Sequence, residues 1–82
     1  MNWKSVRYCN VPSWTDLLLR ISRQRPNGSA SVEYHIGYVD DRDNIYIYSK
    51  YGQGYEIVCN VKNAECGNYP SVHFVNPQEI LL

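Results

Sequence analysis

Long apolar segments are absent from this sequence of 82 residues. Its longest aliphatic runs are three residues, at positions 17–19 and 80–82, whereas a membrane-spanning helix needs about 20 apolar residues. The first eight residues also lack the apolar segment of a secretory signal peptide. We therefore expect a soluble, intracellular protein. A chain of this length supports one hydrophobic core, so residues 1–82 are expected to form a single domain.

Patterns typical of metal sites and of common active sites are also missing. The three cysteines have no Cys-x-x-Cys spacing, and His35 and His73 do not form a paired zinc motif. The acidic loop at residues 40–44 does not continue with the oxygen ligand and glycine of a calcium-binding loop, and Gly-x-Ser-x-Gly is absent. We expect no metal, no cofactor and no enzymatic activity. The odd cysteine count favours the reducing cytoplasm.

Net charge is absent as well, because eight Lys and Arg residues balance eight Asp and Glu residues. The first 25 positions hold five of the basic residues and a single acidic one. This asymmetry favours self-association or an acidic partner, or it places arginines near the C-terminal end of a helix. Binding to nucleic acid phosphates depends on uncompensated Lys and Arg, so nucleic acid is a less favoured partner than protein.

Tyrosine, in contrast, is abundant, with eight residues, about three times its ordinary frequency. Six of them fall in residues 32–39, 44–51 and 55–62, where apolar side chains recur at alternate positions. A period of two in segments rich in Ile, Val and Tyr predicts β-strands. The short turns between these segments predict an antiparallel meander.

The turns also predict how the strands pair. A four-residue loop at 40–43 pairs Val39 with Asn44, and therefore Ile36 with Ile47. A three-residue loop at 52–54 pairs Ile47 with Cys59. One face of the meander then collects the apolar side chains of the expected core: Val32, Tyr34, Ile36, Tyr38, Ile45, Ile47, Tyr51, Tyr55, Ile57, Cys59 and Val61.

The same register makes two further predictions. Glu33, Lys50 and Glu56 form a charge ladder across three strands, and Tyr51 lies opposite Tyr55. Each pair of opposite charges that face one another across strands stabilises a sheet by roughly 0.2–1 kcal/mol. A one-residue slip would lose these contacts and turn the strand over.

Residues 14–24 are predicted to form a helix. Apolar side chains recur there at the spacing i, i+3, i+4, i+7, which places them on one side of a helix: Trp14, Leu17, Leu18 and Ile21. Ser13 suits the N-cap, and Asp16 completes a capping box. Residues 25–28 contain Pro and Asn-Gly and are expected to end the helix.

The remaining segments predict short elements. Residues 2–8 form an edge strand, residues 72–75 form a fourth strand at an edge, and Asn76 and Pro77 begin a helical turn. The predicted fold class is α+β, with one N-terminal helix packed on an antiparallel meander of four to five strands. A more strongly curled meander would approach a small barrel.

One helix covers one face of a sheet, so the second face is expected to be exposed. The predicted register places four side chains there as one patch: Tyr46, Tyr48, Val58 and His35. Exposed apolar patches usually mark interaction sites. The leading hypothesis is a non-enzymatic, cytoplasmic module that binds protein or self-associates, most simply as a homodimer, with an accessory or mobile gene as its expected source. If the sheet curls, the patch forms a second core instead.

Two alternative functions use the same face. A single-stranded nucleic-acid-binding module would stack bases on Tyr46 and Tyr48, with Lys62 and Arg7 contacting phosphates. A small-molecule-binding or catalytic domain would be centred on His35, acting as a general base beside Tyr48. The second alternative requires a deep pocket around that histidine.

Overall fold

The computed structural model describes residues 2–49 and 54–80. The strands are β1 (Lys4–Ser5), β2 (Leu17–Gln24), β3 (Ala30–Val39), β4 (Asn44–Tyr48), β5 (Tyr55–Asn60) and β6 (Ser71–Val75). They form one antiparallel sheet in the order β1-β6-β2-β3-β4-β5. Within the described ranges, the helical elements are a 3-10 turn, Val61–Asn63, and a four-residue helix, α1 (Pro77–Ile80).

The predicted α+β class is wrong, because residues 14–24 do not form a helix. Their C-terminal part is the strand β2, which pairs with β3 on one side and β6 on the other. Leu17, Leu19 and Ile21 are fully buried, whereas the side chains between them are partly exposed. Several leucines in a row satisfy both a helical period and a period of two. Pairing with two neighbouring strands decides between these conformations, because tertiary contacts override helix propensity.

The turn after β2 also favours a strand. Asn27 and Gly28 lie in the hairpin that joins β2 to β3, where the Arg25 N–H donates to the Ser29 carbonyl at 2.7 Å. Gly28 has φ +85°, a conformation that glycine adopts without strain. Asn-Gly between two alternating segments is a strong hairpin signal. The dipeptide that was predicted to end a helix therefore connects two strands.

The pairing of β3 with β4 is shifted by one residue from the prediction. Val39 lies opposite Ile45 and Gly37 lies opposite Ile47, so the predicted pairing of Ile36 with Ile47 is wrong. A shift of one residue turns a strand over. Three side chains of β3 that were predicted to be in the core are therefore exposed: Val32, Tyr34 and Ile36.

The loop between β3 and β4 explains this shift. Asp40, not Val39, pairs with Asn44, and its N–H donates to the Asn44 carbonyl at 3.0 Å. Asp43 has φ +66°, which gives a three-residue loop with a left-handed last residue. The predicted loop had four residues, and the difference of one residue sets the register of the hairpin.

The pairing of β4 with β5 contains a bulge. Ile45 lies opposite Cys59, and Tyr46 lies opposite Ile57, with the register shift between Ile45 and Tyr46. The predicted pairing of Ile47 with Cys59 is therefore wrong. A bulge lets two residues of one strand face one residue of the other, so a uniform alternation cannot describe β5.

Two predicted contacts fall on residues outside the described ranges. Lys50, at the centre of the charge ladder, and Tyr51, predicted to face Tyr55, both lie there. Of the other two residues of the predicted ladder, Glu33 lies opposite Ile21 of β2, and Glu56 lies opposite Ile47 of β4.

Most of the buried side chains lie on one face of the sheet, which we call the core face. The strands supply nine of its apolar residues: Leu17, Leu19, Ile21, Val39, Ile45, Ile47, Cys59, Val72 and Phe74. Segments between the strands pack against it, with Val6 and Val11 before β2 and Val61 and Ala64 after β5. The Arg7 guanidinium donates to the Ala64 carbonyl at 2.9 Å and joins these two segments. Loops therefore take the place of the predicted helix.

The terminal elements agree only in part with the predictions. β1 is an edge strand, as predicted, but it covers two residues and not the whole of residues 2–8; α1 begins at Pro77, as predicted. β6 is not at an edge, because it lies between β1 and β2. Among the described residues, the structure contains no helix with the length and apolar character that a membrane span needs.

Candidate binding face

The face opposite the core face carries many exposed large side chains, and we call it the open face. Eight large side chains of β3, β4 and β5 lie on this face, and all of them except the partly buried Tyr38 and Tyr46 are exposed: Val32, Tyr34, Ile36, Tyr38, Tyr46, Tyr48, Tyr55 and Ile57. The exposed fraction reaches 61% at Tyr34 and 63% at Ile57, whereas Val39 and Ile45 on the core face are fully buried. Contiguous exposed apolar side chains of this kind mark interaction surfaces.

Five aromatic rings on this side of the sheet contact one another, and we call them the aromatic cluster: Trp14, Tyr38, Tyr46, Tyr48 and Tyr55. The Tyr38 ring is central. Its centroid lies 5.5 Å from that of Trp14 and 4.9 Å from that of Tyr46, in stacked arrangements, and 5.0 Å from that of Tyr55, edge to face. The ring centroids of Tyr48 and Tyr55 are 4.5 Å apart. These separations are favourable for aromatic pairs, so the rings fix one another in place.

Trp14 reaches the cluster from the segment before β2. Its backbone N–H donates to the Val39 carbonyl at 2.8 Å, and Ser13 forms an isolated parallel β-bridge with Val39. Trp14 has φ +56°, and the left-handed conformation costs about 1–2 kcal/mol for a residue other than glycine. Backbone strain of this kind persists where the surroundings impose it, often at binding sites. The ring that it positions is 64% exposed.

Asp40 anchors the cluster to the β3–β4 loop. Its buried carboxylate accepts the N–H groups of Arg42 and Asn44, both at 2.9 Å, and the Tyr46 hydroxyl at 3.1 Å. Burial by itself would raise the pKa of Asp40, but these hydrogen bonds outweigh burial and hold the pKa below its ordinary value. The hydrogen bond to Asp40, together with burial, raises the pKa of Tyr46 and keeps its hydroxyl protonated.

Asp16 lies beside the cluster and accepts a hydrogen bond from the Tyr48 hydroxyl at 3.0 Å. Hydrogen bonds with Tyr55 and with Asp16 raise the pKa of Tyr48 well above its ordinary value, so the phenol is neutral. Five side chains line a cavity of about 260 Å³, which we call the aromatic cavity: Trp14, Asp16, Tyr38, Tyr48 and Tyr55. It is smaller than the cavities of roughly 300–1,000 Å³ that hold drug-sized ligands.

A second aromatic contact lies over β2 and β3. The Trp3 ring is 5.8 Å from the Tyr34 ring, and the Arg20 guanidinium lies 5.0 Å from the Trp3 ring centroid. A guanidinium at this distance is attracted to the face of the indole. The open face therefore contains one aromatic site that an arginine of the chain occupies, in addition to the aromatic cavity.

The structure separates the four side chains that the sequence placed in one patch. Tyr46 and Tyr48 lie together on the open face. His35 lies on the core face, with a side chain that is 7% exposed and an Nε2 atom 3.1 Å from the Glu33 carboxylate. Val58 is partly buried and packs against the core. Because the register of β3 differs by one residue from the prediction, His35 lies on the core face and not on the open face. The bulge between β4 and β5 has the same effect on Val58, which packs against the core.

Other reactive groups are dispersed over the molecule. In the part of the chain that the structure describes, no group of three or more His, Cys, Asp and Glu side chains could hold a metal ion. The cysteines are free; Cys9 is exposed, Cys59 is buried, and Cys66 accepts a hydrogen bond from Arg7. A larger cavity of about 840 Å³ lies between the end of β2 and residues 65–71. Its arginines, Arg23 and Arg25, are exposed to solvent.

No protein-family model, curated protein or solved structure matches this chain. The function is therefore argued from the two faces of the sheet.

Four of the residues at the aromatic cavity were not identified from the sequence: Trp14, Asp16, Tyr38 and Tyr55. The first two were assigned to a helix and the last two to the core. The Asn27-Gly28 turn carried the missing signal for β2, since it indicates a hairpin. The second signal was Asp43, because Asp tolerates the left-handed conformation better than most residues. A left-handed residue at this position gives a three-residue loop between β3 and β4, and that loop length places Tyr38 on the open face.

Proposed function

We propose that this protein is a non-enzymatic protein-binding module that docks a second copy of itself through the open face. The observation that supports the proposal is the set of eight large side chains on one side of a single-layer sheet, with exposed fractions of up to 63%. Burial of apolar surface stabilises an interface by about 25 cal/mol per Å² before the costs of association are subtracted. Tyrosine and tryptophan are enriched in the buried centres of such interfaces.

Charge on the open face supports self-association. Asp16 lies at the aromatic cavity, and Arg20 projects from β2 onto the same face, where its guanidinium contacts Trp3. A two-fold arrangement brings a surface against its own copy. Two open faces packed in this way can place the arginine of each copy near the aspartate of the other. Opposite charges at matching positions favour a defined orientation of the two copies.

The cysteines fit a cytoplasmic location, which is part of the proposal. All three thiols are free, and one of them, Cys9, is exposed. Exposed thiols persist in reducing compartments and are oxidised in secretory ones.

Sedimentation velocity over a range of protein concentrations tests self-association. We expect the wild-type chain to sediment as a dimer and the double variant Tyr34→Ser, Ile57→Ser to sediment as a monomer with an unchanged circular dichroism spectrum. Both changed residues are exposed and lie outside the aromatic cavity. They are preferable to Tyr46, whose hydroxyl is bonded to the buried Asp40.

The double variant Tyr8→Ser, Tyr69→Ser is the matched control. Tyr8 and Tyr69 are 73% and 50% exposed and lie in loops away from the open face, so this variant should remain dimeric. A wild-type chain that is monomeric at the highest attainable concentration would overturn the proposal. Equal dissociation of both double variants would show that the open face is not the interface.

Single-stranded nucleic acid is the second candidate, because exposed aromatic rings beside Arg20 resemble a base-stacking surface. The carboxylates of Asp16 and Asp40, both bonded to cluster tyrosines, oppose it because they repel phosphates. Fluorescence anisotropy with a labelled oligonucleotide separates the two functions. Binding that weakens steeply with added salt would favour nucleic acid over self-association.

A further inference from the structure

We propose that the aromatic cavity binds a quaternary ammonium group, presented either by a trimethylated lysine of a protein or by a free choline-type cation. Four aromatic rings and one carboxylate line this cavity, and every lining residue belongs to the same chain. One copy alone supplies these residues, and because the proposed self-association packs a second copy on the same face, the cation and the second copy compete for it. The cavity adds a chemically defined ligand to the open face.

The lining suits a large cation with little affinity for water. Aromatic rings attract cations through the negative charge on their faces, and tryptophan is the strongest of them. Three tyrosines and Trp14 line the cavity, and Asp16 is the single formal charge among the described residues that line it. A quaternary ammonium spreads its positive charge over methyl groups that pack well against rings. The ammonium of unmodified lysine is compact and strongly hydrated, so it loses more on entering such a site.

The size of the cavity supports a single small group. About 260 Å³ is below the volume that holds a drug-sized molecule, and the cavity opens to solvent beside the exposed Trp14 ring. A ligand can therefore insert one substituted ammonium group while the rest of it remains outside. A side chain that projects from a peptide has this shape, and so does choline.

The cavity is also organised before any ligand binds. Tyr38 is held between the rings of Trp14 and Tyr46, and Tyr48 is held by its hydrogen bond to Asp16. The backbone N–H of Trp14 donates to the Val39 carbonyl at 2.8 Å and holds this part of the lining against β3. Sites that are organised in advance lose less conformational entropy on binding. Because Tyr48 remains protonated, it adds no second negative charge to the cavity.

Titration with tetramethylammonium, followed by NMR of the two tryptophan indole N–H groups, tests the proposal. We expect saturable shifts at the Trp14 indole and none at the Trp3 indole, which lies over β2 and β3. Choline should bind similarly. Its neutral isostere 3,3-dimethylbutan-1-ol should bind at least about tenfold more weakly, because it lacks the charge that interacts with the rings.

Two variants and one control locate the site. Asp16→Asn keeps a hydrogen-bond acceptor for Tyr48 but removes the charge, and should weaken cation binding by about fivefold or more. Trp14→Gly removes a wall and should abolish the saturable shifts, which are then followed at the backbone amide of Tyr38. Tyr69→Ser, at an exposed loop position outside the cavity and away from the open face, should bind the cation as the wild type does. If Asp16→Asn binds unchanged, or if the neutral alcohol binds as tightly as choline, the proposal is wrong.

A last comparison identifies the source of the group and separates this inference from the proposed function. A short peptide with trimethyllysine that binds more tightly than both choline and the unmodified peptide would identify a methylated protein. Equal affinity of the trimethyllysine peptide and choline would identify a free cation. The same titrations with the Tyr34→Ser, Ile57→Ser variant measure the cavity without self-association. Absence of saturable binding in that variant and in the wild type overturns the cavity proposal alone.

Discussion

The two faces of this sheet bury their side chains in different ways. On the core face, Leu19 and Ile45 are fully buried beneath connecting segments that follow β1 and β5. On the open face, the Tyr38 ring packs against the rings of the aromatic cluster, and Trp14 and Tyr55 are still 64% and 49% exposed. Both faces contain large apolar side chains, and the cover that the chain supplies distinguishes them.

This difference shows why apolar content alone does not identify a core. Alternation along β3 places apolar or aromatic side chains at 32, 34, 36 and 38, yet these positions lie on the open face, while His35 and Gly37 are buried. The core is the face that the loops cover, and the other face is available for binding. Stability should therefore depend on the core face, and binding should depend on the open face.

Adjacent leucines of β2 provide the strongest test of this division. Leu19→Ala should lower the free energy of unfolding by about 2–5 kcal/mol, because it leaves a cavity at a fully buried position. Leu18→Ala is the matched control on the other face and should cost about 1 kcal/mol or less. Urea denaturation followed by circular dichroism measures both losses. Equal losses would indicate that the open face is a second core.

The buried Asp40 carboxylate joins the β3–β4 loop to Tyr46 of the open face, and protonation at low pH should weaken these hydrogen bonds. The hydrogen bonds that lower its pKa stabilise the fold above the ordinary carboxyl value of 3.8, and this contribution is lost as pH falls through the folded pKa. Asp40→Asn should reduce stability at neutral pH, by less than Leu19→Ala, and should flatten the acid limb of the stability profile. Asp41→Asn, at an exposed position in the same loop, should do neither. Similar pH profiles for the two variants would contradict the role of Asp40.

The rates at which a thiol reagent labels Cys59 and Cys9 compare a buried position with an exposed one. Cys59 lies on the core face, where burial raises its pKa, so it should react with a thiol reagent at least about tenfold more slowly than Cys9. Mass spectrometry of digested, partly labelled protein measures the rates. In denaturant the difference should disappear. Equal native-state rates would place Cys59 outside the core.

Substitution of Trp14 should produce the smallest change in stability. Trp14→Gly loses ring contacts worth about 0.5–1.5 kcal/mol but relieves a left-handed conformation that costs about 1–2 kcal/mol. The two effects should nearly cancel, so the thermal midpoint should change little. Trp14→Ala loses the ring and retains the strain, and should be less stable than Trp14→Gly by about 1 kcal/mol. If Ala is the more stable of the two, the backbone at position 14 is not strained.

Residue patterns predicted the location of most strands but not their faces. The alternating segments at 44–51 and 55–62 contain β4 and β5, and the segment at 32–39 covers all of β3 except its first two residues, because side-chain alternation is a local property. Which side chains of β3 lie on the core face depends on whether the loop between β3 and β4 contains three or four residues. A single left-handed residue, Asp43, decides that number, and many sequences permit either loop.

β2 and the aromatic cavity could not be predicted for a different reason. Leu17, Leu18 and Ile21 suit one side of a helix, and only the partners β3 and β6 select a strand. The cavity then depends on that selection, because Trp14 contacts Tyr38 only when β2 runs beside β3. Tyr46 and Tyr48 were correctly separated from Ile45 and Ile47, since β4 has a regular alternation.

The position of β6 has a consequence for how the chain folds. Leu18 pairs with Val75, more than fifty positions away, and Lys4 pairs with Phe74. Contacts between such distant segments raise the contact order and slow folding, because a long loop must close before any pairing is gained. During synthesis, β2 and β3 can form their hairpin early, but one edge of β2 has no strand to pair with until β6 has been made. The pairing of β2, one of the two central strands, is therefore completed late, and β1 cannot join the sheet before β6 does.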